Sequence, residues 1–156
     1  SRMILPQYKI AYGDSVPHAV HAMGIFLLHD LPLYAAWLNM DVYEAVESRR
    51  LTFGRAGFHG YWEDGGRVAT GNQGLAASYY ERASGLLLTV ANVTGEDISS
   101  TVALDLTGLD LPPDVNATVY DPLTGTEETV ALKPNEALPA DVKAWMMLLI
   151  QLGGPQ

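Results

Sequence analysis

The 156 residues are enough for one ordinary domain, or for one compact domain with an attached piece, and a hydrophobic fraction of 48% provides a core and excludes a disordered chain. Lys and Arg number 9 against 18 Asp and Glu, a formal net charge of −9, which excludes nucleic acid and anionic membrane surfaces as partners because both are bound through cationic side chains. Cysteine is absent, so there is no disulfide, thiolate nucleophile or cysteine-held metal.

Neutral ligands such as sugars remain compatible with this charge, and 9 Pro with 15 Gly suggest the many turns of a short-stranded β protein. The longest apolar run, Trp145 to Ile150, is too short to span a bilayer. No signal peptide is visible, since Ser1-Arg2-Met3 leads into the polar Gln7 and Lys9, and localisation stays open. A chain beginning at Ser rather than Met reads as one whose natural start lies further upstream.

Helical patterns come first along the chain. Asp14 or Ser15 can cap a helix whose first turn tolerates Pro17, and Val20, Met23, Phe26 and Leu27 follow at helical spacing. This helix should stop before Pro32, because the residue ahead of a proline avoids the α region. A second helix is expected from Asp41-Val42-Tyr43-Glu44, read as a capping box, with Val42, Ala45 and Val46 as its apolar stripe. Arg49 and Arg50 fall in its last turn, where cations oppose the dipole, and Gly54 closes it. Between the helices, Leu31 to Leu38 is unusually apolar for a connection and wants a partner surface.

After Trp62 the texture changes to short strands divided by turn residues. Glu63-Asp64-Gly65-Gly66 reads as a turn and Arg67 to Thr70 as a strand. Leu75 to Arg82 and Leu86 to Asn92 flank Ala83-Ser84-Gly85, a hairpin with glycine available for a positive φ. Ser99 to Leu106 alternates, with Val102, Leu104 and Leu106 on one face. Ala117 to Tyr120 and Glu127 to Leu132 flank Asp121-Pro122-Leu123-Thr124-Gly125, where Pro presets a turn and Gly ends it. Lys143 to Gln151 reads as the last strand, apolar on both faces and therefore central or covered, with Trp145 in the core. The expected fold is mainly β: an antiparallel β-sandwich of about seven short strands preceded by a short α-helical segment.

Several stretches resemble a known family. They are Phe26-Leu27-Leu28-His29-Asp30-Leu31-Pro32-Leu33-Tyr34 with the later Trp37, then Gly60-Tyr61-Trp62, the Leu87 to Val93 strand ending in Asn-Val, and Val119-Tyr120-Asp121-Pro122-Leu123-Thr124-Gly125. Their order resembles the tail of glycoside-hydrolase-like proteins with a (β/α)8 barrel and a C-terminal β-sandwich, uncharacterised proteins related to the β-N-acetylgalactosaminidase type. The resemblance implies that residues 1–62 form the helical end of a barrel, 63–152 the accessory sandwich and 153–156 a tail. A barrel takes roughly 250 residues. The resemblance further implies that the catalytic acid and its partner lie on barrel strands not represented here, and no residue of this chain matches them.

Several residue groups offer chemistry of their own. On one helix His18 and His21 are a turn apart and His29 lies near the same stripe, with Asp30 the one close carboxylate; zinc would want a further ligand, and the pattern lacks HExxH, so surface or inter-domain histidines are the alternative. Glycoside hydrolysis needs two carboxyl groups, for which Asp30, Glu63 and Asp64 are the candidates, against their plainer reading as turn and loop anchors. Tyr61 and Trp62, with Tyr79 or Tyr80, offer rings on which a sugar could stack. Tyr79 and Tyr80 point to opposite sides of a strand, and Trp62 reads equally as packing at the junction of helices and sandwich. Asn92-Val93-Thr94 and Asn116-Ala117-Thr118 fit the glycosylation pattern by chance. No cofactor is called for.

The leading reading is a non-catalytic accessory region that packs on the rest of a barrel domain or on a second copy of the chain, with Leu31 to Leu38 and Trp62 at the junction. A carbohydrate-binding module and a small independent hydrolase are the alternatives.

Overall fold

The computed structural model describes residues 15–32, 35, 38–54, 56–132 and 136–154, which form two helices and nine strands. Helix α1 (Val16–Leu28) starts where Pro17 fits the first turn, and Ala19 donates to the Ser15 carbonyl at 3.1 Å. It stops in a Schellman arrangement: Asp30 adopts φ 49, Leu31 N–H reaches back to the Phe26 carbonyl at 2.9 Å, and Asp30 N–H reaches Leu27 at 3.5 Å. Pro32 follows and cannot continue the helix.

Helix α2 (Met40–Phe53) is capped by Asn39, whose side chain accepts from Val42 N–H at 3.1 Å. The expected capping box at Asp41 to Glu44 is therefore displaced. Asn caps as well as Asp, and starting two residues earlier leaves Asp41 in the first turn, where its charge still suits the dipole. Gly54, at φ 82, ends the helix as expected. Of the apolar connection Leu31 to Leu38, residues 33, 34, 36 and 37 lie outside the described residues, and Leu38 is buried.

The strands are β1 (Gly57–His59), β2 (Val68–Thr70), β3 (Leu75–Arg82), β4 (Gly85–Asn92), β5 (Ile98–Leu104), β6 (Asn116–Asp121), β7 (Thr126–Ala131), β8 (Leu138–Val142) and β9 (Met147–Gly153). A six-stranded sheet runs β1-β3-β4-β9-β6-β7 and a three-stranded sheet β2-β5-β8, with every pairing antiparallel. Leu86, Leu88, Val90, Ile150 and Leu152 of the larger sheet meet Val102, Leu138 and Ala140 of the smaller one. On the opposite face, Ala76, Ala91, Met147 and Leu149 meet Val20, Met23 and Leu27 of α1.

The architecture is thus a β-sandwich with helices laid on its larger sheet. β4 is buried at every position because it has a layer on each side, and the same covering explains the unbroken apolar run of β9. At Gly24 an added Cβ would lie 3.4 Å from Met147 Cβ, so the helix rests close against β9.

Two expectations about particular residues are corrected. Lys143 to Met146 form a turn instead of the start of β9, closed by Met146 N–H to the Lys143 carbonyl at 2.9 Å. Trp145 sits there at φ 63 with its side chain well exposed, not in the core. The apolar run misled because β8 already occupies the preceding residues and a tight connection must intervene. Asp97 pins that connection, accepting from Lys143 Nζ at 2.6 Å and Ala144 N–H at 2.9 Å. Gly85, expected to supply a positive φ, does not adopt one. It is required by closeness instead, since an added Cβ would fall 2.3 Å from the Leu152 carbonyl oxygen.

Candidate functional site

Alternation along β3 sends Tyr79 between the sheets and Tyr80 toward the helices. Tyr79 is buried and accepts from Arg67 N–H at 3.0 Å. Tyr80 donates to Asp30 Oδ1 at 2.7 Å, which ties the left-handed residue after α1 to the large sheet. Facing this pair on α2, Arg50 grips Glu47 one turn earlier through Nε at 2.9 Å and through Nη2. Between them lies a cleft of about 180 Å³ lined by Asp30, Tyr43, Glu47, Arg50 and Tyr80 over an apolar floor.

The electrostatics of the cleft are self-consistent. Burial, then the bond to Asp30 and its charge, push the Tyr80 phenol above its ordinary range. Glu47 holds the Arg50 guanidinium more firmly charged, against the penalty of burial. A phenol whose folded pKa is raised contributes stability that is intact below pH ~10 and is lost as pH climbs toward the folded value. In a spectrophotometric titration Tyr80→Phe should therefore remove a late-ionising tyrosine and cost about 1 kcal/mol near neutrality, a modest figure because Asp30 is exposed. Asp30→Asn should return the Tyr80 transition toward the ordinary phenol range; an unmoved transition would sink the assignment.

A second group lies beside the cleft. Phe58 of β1 sits 5.3 Å from the Tyr80 ring and 6.1 Å from Trp62. Trp62 stacks on His29 at 5.6 Å and packs over Gly60, where an added Cβ would come within 2.4 Å of the indole. Tyr61 meets Trp62 and His29 edge-on at 5.1 and 5.6 Å. Buried Ser78 joins this cluster to α1, accepting from Tyr61 N–H at 3.0 Å and donating to the Leu28 carbonyl at 2.8 Å.

Glu63 accepts from Gly60 N–H and pairs with His59 Nδ1, both at 3.0 Å. The amide first, and the histidine second, hold its carboxyl below the ordinary range. That shift keeps Glu63 ionised, opposite to what a general acid requires. Asp64 is exposed in the same turn.

The three helix histidines are engaged separately: His18 Nδ1 with Ser15 Oγ at 2.7 Å, His21 Nδ1 donating to the Trp145 carbonyl at 2.9 Å, and His29 Nδ1 donating to the Ile25 carbonyl at 2.8 Å. Among the described residues no group of three or more His, Asp or Glu is placed to hold a metal ion, and no described helix is long and apolar enough to cross a membrane. What the arrangement does chemically is anchor the end of α1 to the sheet and hold Tyr61 and Trp62 in the open.

Sequence reasoning missed Arg50 with Glu47 as part of this site, although their i,i+3 spacing on α2 was available as a signal. It also missed Phe58 and His59, which lie on a strand of three residues with no periodicity to detect.

The family model described as glycoside hydrolase 123, C-terminal domain, matches residues 39–151. No curated protein matches the chain. Among solved structures, a Bacillus halodurans protein assigned as an alpha-N-acetylgalactosaminidase is similar with a TM-score of 0.57 at 12% identity, over 90% of this chain and 33% of that one. A GH30 endoxylanase from Clostridium papyrosolvens gives 0.54 at 11% identity over 98% and 42%. A maltogenic alpha-amylase from Thermotoga neapolitana gives 0.54 at 14% identity over 92% and 38%. At these identities the likeness shows the fold alone, and the chain spans between 33% and 42% of the length of these three proteins. The family match extends over well more than half of the residues, and on that ground the chain belongs to the family of glycoside hydrolase 123 C-terminal domains.

Proposed function

We propose that this chain is a non-catalytic accessory region of a glycoside hydrolase and acts by packing on the catalytic domain. The observation that carries the reading is the family match over residues 39–151, a C-terminal domain by description. The carboxylates support it. Asp30 accepts from the Tyr80 hydroxyl and so ties the end of α1 to β3, Glu63 accepts from Gly60 N–H within its own turn, and Asp64 stands in an open turn. Helices α1 and α2 would supply the helical end of a (β/α)8 barrel, and the sheets that begin at β1 the sandwich beneath it. Aryl N-acetylhexosaminides test the assignment. The purified chain should not turn them over above buffer, whereas turnover that disappears in Asp30→Asn or Glu63→Gln would make it a small hydrolase in its own right.

A further inference from the structure

We infer that the uncharged outer face of α1, running from Trp145 past His18, His21 and Ile25 to His29 and Trp62, is the surface on which the catalytic domain seats. The inference rests on the accessory reading above and gives it a location. Helix α1 has the sequence VPHAVHAMGIFLL, without one Asp, Glu, Lys or Arg. The chain buries most of it, from Ala19 and Val20 to Leu27 and Leu28, and the stripe left open carries Pro17, His18, His21 and Ile25, where an ordinary surface helix would place charged side chains. α2 behaves differently, turning Asp41, Glu44, Ser48 and Thr52 to solvent as a surface helix does.

Unrelated loops extend the α1 stripe at both ends. Trp145, 47% exposed on a left-handed backbone, meets the His21 ring edge-on at 5.8 Å beside a shallow apolar depression of about 370 Å³. Trp62, 54% exposed, stacks on His29 at the other end. From His18 to His29 the helix rises about 16 Å, the span of a compact docking face. Three of the chain's exposed large apolar side chains, Ile25, Trp62 and Trp145, lie along it.

The family match supports a catalytic domain as the occupant. It starts at residue 39, leaving α1 outside it on the N-terminal side, and the similar solved proteins are longer chains of which this one covers 33% to 42%. In a protein of net charge −9, a stripe whose own side chains include no carboxylate, with Asp30 and Glu63 only at its far end, is where a large apolar neighbour approaches while desolvating little charge. Its chemistry would be apolar, with carbonyl or hydroxyl acceptors for imidazole N–H groups.

Histidine footprinting with diethyl pyrocarbonate tests this, comparing the 156-residue chain with the full polypeptide encoded by the reading frame that runs through Ser1. His18, His21 and His29 should react in the chain and lose reactivity in the full polypeptide, while His59, which lies on β1 and stacks on Tyr79, serves as the reference. Ile25→Glu in the full polypeptide should weaken seating by about 30-fold or more and restore modification. Leu51→Glu, at a position 66% exposed on α2, should not. Unchanged histidine reactivity in a full polypeptide that carries a catalytic domain overturns the inference and leaves the accessory reading standing. A frame that encodes no such domain overturns both. Three histidines already protected in a chain that sediments as a dimer assign the face to a second copy and overturn it as well.

Discussion

Gly85→Ala is expected to lower the unfolding free energy by about 3 kcal/mol, at the upper end of what overpacking a core usually costs. Gly85 pairs with Gly153 across β4 and β9, the two central strands of the large sheet. The added methyl would meet the Leu152 carbonyl oxygen at 2.3 Å and Gly154 N at 3.0 Å, both backbone atoms that no rotamer change can move aside. Either the hairpin opens or the β4–β9 ladder shifts, and both strands are covered on two faces. Urea unfolding should show a lower midpoint at unchanged slope. Gly108→Ala provides the contrast: its φ of 79 is strained for alanine but nothing lies within 4 Å, so about 1 kcal/mol is expected. Equal losses in the two variants would refute closeness as the reason for Gly85.

Asn92→Asp should be comparably damaging. The side chain is 2% exposed, and both ends of its amide are fully used. Nδ2 donates to the carbonyls of Glu96 at 2.7 Å and Val142 at 3.0 Å; Oδ1 accepts from Thr94 N–H at 2.9 Å and Thr94 Oγ1 at 2.8 Å. One amide thereby clamps the β4–β5 loop and stitches it to the end of β8. A carboxylate would keep the acceptor contacts and turn the donor contacts into repulsion against two carbonyl oxygens, one of them buried. A loss of about 3 kcal/mol follows, seen as a melting temperature lower by about 10 °C. A fall of only a degree or two would mean the loop rearranges to admit solvent. The same burial turns the asparagine of Asn92-Val93-Thr94 into the loop instead of presenting it to solvent.

Much of the fold was legible because local chemistry and tertiary structure agree. The β3–β4 hairpin and the Asp121 to Gly125 turn carry their own punctuation, and in the latter Asp121 Oδ1 accepts from Leu123 N–H at 2.8 Å while Gly125 takes φ 72. β1 and β8 were illegible for different reasons. β1 has three residues, too few for any period, and β8 carries Pro139 as its second residue, which argues against a strand unless it lies at an edge. The exposed Trp145 could not be foreseen because hydrophobicity marks what wants burial, not which residue a connection will turn outward. At the candidate site, Asp30, Tyr61 and Trp62 stood out in the sequence. The Tyr80 bond that positions Asp30 joins residues fifty apart in the chain and exists only through the packing of α1 on the sheet.

The sheet edges bear on how copies of this chain can meet. In the large sheet one border, β1, is only three residues long, and the other, β7, shows Glu127 and Glu128 to solvent. In the small sheet β2 is equally short, while β8 interrupts its ladder with Pro139 and exposes Asp141. Each border therefore carries a feature that discourages strand addition: brevity, like charge or a missing amide. Strand addition and strand exchange between neighbours are therefore disfavoured at the borders among the described residues, and contacts with other polypeptides fall more readily to side-chain surfaces than to open backbone.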